Sequence, residues 1–261
     1  MKLKIYQVDA FTSTLFKGNP AAVVPLDGWL NDMVLLSIAL ENNLSETAYI
    51  VPNGEGYNIR WFTPGVEVDL CGHATLASSH VIFTKLGFAG SVIEFQSRSG
   101  PLIVEQEKNG YVMDFPVETQ TLCKIPERIV NGLGLKPKEV YKGTDYLALV
   151  DSEHVVKQLA PDFRELACLD SRGLIVTAPG DDCDFVSRGF FPQTGVDEDP
   201  VTGSAHCQLT PYWAERLGKT QLVGRQLSAR GGEVVCNLEG DRVKLQGCAV
   251  TYLEGTIQIP D

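Results

Sequence analysis

Short strand-like runs of apolar residues dominate the chain, and two longer helical runs, each opening on a glycine, interrupt them. Residues 3–11 and 20–25 pattern as strands, joined through Phe16-Lys17-Gly18-Asn19-Pro20, whose Gly, Asn and Pro mark a turn. Leu30, Val34, Leu35 and Ile38 recur at helical spacing beside a cap at Asn31 or Asp32, which predicts a helix ending near Asn42-Asn43. Strands follow through Thr47–Val51 and, after the Gly54-Glu55-Gly56 turn, through Tyr57, Ile59 and Trp61. A helix is then predicted from His73 to about Leu86, closed by Gly87. Strands at 91–96, 101–107 and 111–115 come next, the last two joined by the hairpin signal Asn109-Gly110.

The second half opens with short helical pieces near 126–133 and 152–168 and then repeats the scheme. Strands near 173–178 and 184–191 lead to a helix from Gly203 to about Leu217, closed by Gly218, which Pro211 should kink or split. Strand-like runs continue to Ile259, separated by Gly231-Gly232, Gly240-Asp241 and Gly255. The stretch from Phe62 to Ala77 and the stretch from Phe190 to Ala205 share one layout: strand end, tight turn, helix start. Gly72-His73-Ala74 aligns with Gly203-Ser204-Ala205 about half a chain later, which points to a duplicated unit rather than a short-period solenoid. Each half reads as a barrel-like antiparallel sheet wrapped around a central helix. The class is α+β, with domains at 1–116 and 117–261, and no βαβ alternation suggests a parallel sheet.

At 261 residues with 44% hydrophobic positions, the chain can bury an ample core. No apolar run reaches the roughly 18 residues of a membrane span, and the N-terminus enters a strand pattern without a signal-peptide core, so a cytoplasmic protein is expected. The net charge of −11 is spread along the chain, which argues against nucleic acid or an anionic membrane as partner. It also means that an anionic substrate would have to be held by local N–H groups. The 7 cysteines form no Cys-x-x-Cys pair, as expected of reduced thiols.

The candidate chemistry gathers at the helix starts. A strand feeding directly into Cys71-Gly72-His73 exposes unpaired N–H groups and the positive end of the helix dipole, an arrangement suited to a substrate carboxylate. Glu46, at a strand start among apolar and small neighbours, should lose hydration and bind its proton more tightly, as a proton shuttle requires. Asp199, ahead of the second helix start, could cap free N–H groups or accept a hydrogen bond from a substrate amine or hydroxyl. His73 lies in the first turn, where the dipole disfavours a charged ring, so a neutral imidazole is expected. Cys71 stands where thiols become reactive, yet the matching place in the second copy holds Thr202 and Pro200, and Cys207 lies further along the helix. His73 and His80 are seven apart and no ligand spacing such as His-Glu-x-x-His occurs, so no metal is expected. Phosphate loops, dinucleotide fingerprints and Gly-x-Ser-x-Gly are likewise missing, and the chemistry should be cofactor-free.

Gly18-Asn19-Pro20-Ala21-Ala22-Val23, Ser45-Glu46-Thr47, Asp69-Leu70-Cys71-Gly72-His73-Ala74-Thr75 and Glu198-Asp199-Pro200-Val201-Thr202-Gly203-Ser204-Ala205 together resemble the PhzF (phenazine biosynthesis-like) family. The resemblance implies a diaminopimelate-epimerase-like fold of two similar halves, with the site in the cleft between them and commonly a homodimer. It also implies a cofactor-independent isomerase acting on a small carboxylic acid, as the founding enzyme does on trans-2,3-dihydro-3-hydroxyanthranilate. The family's catalytic Glu falls on Glu46, its His and Asp substrate contacts on His73 and Asp199, and its backbone anion contacts on Gly72, Gly203 and Ser204. Two rival expectations keep the fold. One is a thiol-dependent epimerase or racemase using Cys71, and the other is a metabolite-binding protein without catalysis.

Overall fold

The structure is a computed structural model that describes residues 1–259. The chain divides into two compact units: Met1–Asp114 together with the segment from Gln246 onward, and Phe115–Leu245. The first unit contains strands β1 (Lys2–Ala10), β2 (Asn19–Pro25), β3 (Glu46–Asn53), β4 (Gly56–Phe62), β5 (Glu67–Val68), β6 (Val92–Ser97), β7 (Gly100–Glu107) and β8 (Gly110–Pro116), with helices α1 (Asp32–Asn42) and α2 (Gly72–Lys85). The second contains β9 (Thr121–Leu122), β10 (Glu139–Lys142), β11 (Tyr146–Leu149), β12 (Leu174–Pro179), β13 (Phe185–Phe191), β14 (Val196–Asp199), β15 (Gln221–Gln226), β16 (Gly232–Glu239) and β17 (Arg242–Gly247). Its helices are α3 (Glu127–Leu133), α4 (Glu153–Gln158), α5 (Phe163–Leu166) and α6 (Gly203–Leu217). The last strand, β18 (Ala249–Gln258), pairs antiparallel along the whole of β1, so it belongs with the first unit although the sequence assigned it to the second.

The predicted antiparallel sheets are in fact mixed. β2 pairs in parallel with β3, and β4 with β6; in the other unit β11 pairs in parallel with β12, and β13 with β15. Parallel neighbours need a crossover, and a helical connection bridges each of these pairs: α1, α2, α4 with α5, and α6. The alternation escapes a reading of the sequence because β5 and β14, 2 and 4 residues long, intervene between strand and helix at α2 and α6. The 152–168 segment, expected as one helical piece, breaks into α4 and α5 around Pro161, with Ser152 and Asp162 capping the two starts.

α2 and α6 are not amphipathic surface helices. Nearly every residue from His73 to Ile82 is buried, as is nearly every residue from Ala205 to Ala214. Small hydroxyl residues make such burial tolerable by bonding back to their own helix: Thr75 Oγ1 to the Cys71 carbonyl at 2.6 Å, Ser78 Oγ to that of Ala74 at 2.7 Å, Ser79 Oγ to that of Thr75 at 2.9 Å. Pro211 does not split α6. It deprives the Cys207 carbonyl of its usual donor, and the Glu118 N–H replaces that donor at 3.2 Å. Among the described residues no helix is long and apolar enough to cross a membrane.

Two expectations follow from this packing. Gly18 sits at φ +65°, and a Cβ there would collide with the Ala10 carbonyl oxygen of β1. Gly18→Ala should therefore cost more than about 1 kcal/mol in urea unfolding, the strain and the collision adding together. His206 is fully buried in α6 with Nδ1 2.8 Å from the Thr202 carbonyl, and burial pushes its pKa down to about 4. Between pH 6.5 and 4 the unfolded chain binds a proton there that the native state refuses. Stability should thus fall with pH by up to about 1.4 kcal/mol per unit from this group, about 3 kcal/mol across the window. Unfolding titrations at several pH values should show a shallower acid limb for His206→Leu.

Candidate active site

In the first unit, parallel pairing of β3 on β2 sets Glu46, the first residue of β3, opposite Ala21. The chain later turns at Thr63, whose Oγ1 accepts from the N–H groups of Gly65 and Val66, and runs through β5 into the glycine start of α2. That path sets His73 against Glu46, with Nε2 3.2 Å from Oε2. The His73 side chain is 5% exposed and that of Glu46 17%. Neither atom is aligned in a hydrogen bond, so two buried polar atoms face each other with hydrogen-bonding capacity unspent. Cys71 Sγ lies 3.5 Å from His73 Nδ1 on the other side of the ring.

Burial by itself would push the His73 pKa down, but the charges of Cys71 and Glu46 carry it well above the ordinary value. Burial pushes the Cys71 thiol up to about 11, so at neutral pH it is protonated and the attraction that counts on His73 is that of Glu46. Against the neutral ring expected from the helix dipole, the neighbouring Glu46 draws the His73 pKa upward. A carboxylate at contact distance in a dry setting outweighs a dipole effect of about 0.3–1 kcal/mol. The thiol is no poised nucleophile, and Cys207 supplies no second one: it is buried inside α6, its Sγ directed at the Gly203 carbonyl, and burial raises its pKa strongly. α2 begins without a side-chain cap, which leaves the N–H groups at Gly72 and His73 as the local anion donors.

In the second unit, α6 also begins at Gly203 without a side-chain cap, whereas Asn31, Ser152 and Asp162 cap their own helices. Asp199 ends β14 and accepts from Thr202 Oγ1 at 2.6 Å, while Gln226 ties down the turn through the Asp199 carbonyl at 2.7 Å and the Thr202 N–H at 2.8 Å. Ser204 Oγ accepts from Arg172 at 2.8 Å. Arg172 in turn forks onto the buried Asp145 carboxylate and lies over the Phe191 ring. Thus Glu46, Gly72 and His73 come together in one unit, and Asp199, Gly203 and Ser204 in the other. Arg172, Asp145 and Gln226 were missed, because no local pattern ties residues so far apart in the chain to a helix start.

A family model described as phenazine biosynthesis-like protein matches residues 8–255. An uncharacterized isomerase of Pseudomonas aeruginosa is 52% identical over 259 residues, covering 99% of this chain and all of the relative. The crystal structure of a PhzF-family phenazine biosynthesis protein from Enterococcus faecalis superposes with a TM-score of 0.97 at 45% identity, over 99% of this chain and all of that one. A hydroxyproline epimerase from Agrobacterium vitis shares the fold alone, with a TM-score of 0.61 at 9% identity over all of this chain and 93% of that one. With the motifs, the glycine-led helices and these likenesses in agreement along nearly its whole length, the chain belongs to the phenazine biosynthesis-like (PhzF) family of isomerases.

Proposed function

We propose that the chain is a cofactor-independent isomerase that moves a proton between carbons of a small carboxylic acid, with Glu46 as the base. The Glu46 carboxylate takes the proton from a carbon beside an activating double bond or carbonyl, becomes the acid, and returns the proton elsewhere on the substrate. His73, buried against it with Nε2 3.2 Å from Oε2, orients polar substituents of the substrate. The substrate carboxylate takes the N–H groups at Gly72 and His73. Gly203, Ser204 and Asp199 are proposed as further substrate contacts on the strength of the repeated motif. The observation that carries the reading is the buried pair of unaligned polar atoms, Glu46 Oε2 and His73 Nε2, which a substrate group would complete.

General acid–base catalysis of this kind contributes about 10²–10⁴ in rate, the remainder coming from positioning. A thiol-dependent epimerase is disfavoured by the protonated Cys71 and the inaccessible Cys207. A metabolite screen by mass spectrometry should supply a ligand, and deuterium uptake from heavy water into that ligand reads proton transfer directly. Glu46→Gln should lower the exchange by at least about 10² while leaving ligand binding largely intact. Undiminished exchange in that variant sinks the assignment, and no exchange in the parent protein turns the reading toward a binding module. Loss of exchange in Cys71→Ser together with inactivation by an alkylating agent would favour the thiol mechanism instead.

A further inference from the structure

In the second unit an arginine stands where helix electrostatics argues against one. Arg172 Nη2 donates to Ser204 Oγ at 2.8 Å, which brings a guanidinium to the first turn of α6, the positive end of the helix dipole. Stability alone favours a side-chain acceptor at such a place, as Asn31, Ser152 and Asp162 provide at their own helices. Asp145, only 1% exposed, offsets the charge: Arg172 Nε donates to its Oδ1 at 3.0 Å and Nη2 to its Oδ2. The turn that carries Asp145 is itself tied to α6, because Gln208 Nε2 donates to the Asp145 carbonyl at 3.0 Å. Ser204 and Gln208 stand one helical turn apart on the same face, so both ends of the fork are anchored to α6. The guanidinium plane is set by two carboxylate oxygens and by the Phe191 ring, whose centroid lies 5.4 Å from Cζ. In that orientation Nη2 spends its remaining hydrogen on Ser204.

Hydrogen-bond polarity follows from this arrangement. A guanidinium donates and cannot accept, so Ser204 Oγ accepts at the contact and its own proton points elsewhere. Among the described residues no group takes that proton. We propose that Arg172, braced by Asp145, is the positioning residue that makes the Ser204 hydroxyl an obligate donor at the front of α6. The start of α6 then receives an acceptor oxygen, a carboxylate or a carbonyl, and rejects an ammonium or an amide N–H at that place. Donation from Arg172 also polarises the hydroxyl and strengthens the bond that it gives. That the acceptor oxygen belongs to a substrate rests on the isomerase reading; the polarity of the hydroxyl does not.

Sulfate, which at neutral pH carries acceptor oxygens and no proton, is the probe. Titrated into the full-length, isotope-labelled chain, it should give saturable shifts of the Gly203 and Ser204 amide resonances. Ser204→Ala should weaken that binding about 10-fold, the loss of one hydrogen bond to a charged group. Arg172→Gln combined with Asp145→Asn removes both members of the ion pair, so the local charge is unchanged and no buried carboxylate is left unpaired. That chain should bind sulfate about 10-fold more weakly as well. Adding Ser204→Ala to it should cost no more than about 3-fold further, because Arg172 acts through Ser204, whereas independent contributions would multiply to about 100-fold. Circular dichroism checks that each variant is folded. Where the paired substitution does not fold, Arg172→Lys, which keeps the charge and loses the planar fork, takes its place in the cycle with the same expectation. Losses that multiply overturn the positioning role, as does parental affinity in the Arg172 variant, and the absence of shifts at Gly203 and Ser204 in the parent chain overturns the proposal outright. No turnover is read, so failure here leaves the Glu46 assignment standing, and a failed proton exchange beside the expected sulfate cycle leaves the polarity of Ser204 standing.

Discussion

A carboxylate and an imidazole that the fold brings within 3.2 Å of each other in a nearly dry corner impose the main constraint on the first unit. Either group buried alone in charged form would be severely penalised; each offers the other a partner, provided that the backbone on both sides is held still. β3 supplies one side through its parallel pairing on β2, and α2 the other through a helix start that only the preceding turn can place. The pair is incompletely satisfied even so, since neither facing atom is aligned in a hydrogen bond.

Holding these groups still depends on burying whole helices rather than helix faces. α2 packs against β1, β2, β3, β7 and β18, and its serines and threonines bond to carbonyls one turn back, while His80 takes its partners from Tyr111 and Thr251. α6 shares that device and adds another: Thr210 bonds back to the His206 carbonyl, and the carbonyl orphaned by Pro211 takes a donor from the segment before β9. In both units the glycine at the helix start lies on a crossover between parallel strands. The position of the site and the handling of the chain reversal are thus one structural feature.

The second unit reaches its local order through an extended polar network. Asp145, with 1% exposure, is tolerable only because Arg172 forks onto it, and the same guanidinium fixes Ser204 at the front of α6. Gln226 does the equivalent for Asp199 and Thr202. These are interactions between residues whose separation in sequence gives no hint of contact.

The amino-acid sequence by itself determined the class of the fold, the punctuation of most elements, and which residues stand as candidates at the two helix starts. Glycine, proline and asparagine act locally through φ and missing donors, and Gly72 with Gly203 announce their helix starts without any tertiary information. Tertiary structure alone decided the parallel pairings, the return of β18 to β1, the survival of α6 across Pro211, and the upward pull on the His73 pKa. The physical reason is common to all of these. Each depends on what a group meets in space from a distant part of the chain: a partner strand, a replacement donor, or a carboxylate at Glu46 that overrides the local dipole. The approach of Glu46 to His73 is the sharpest instance, since the carboxylate comes from the start of β3 and the ring from the start of α2, and no spacing motif could register it.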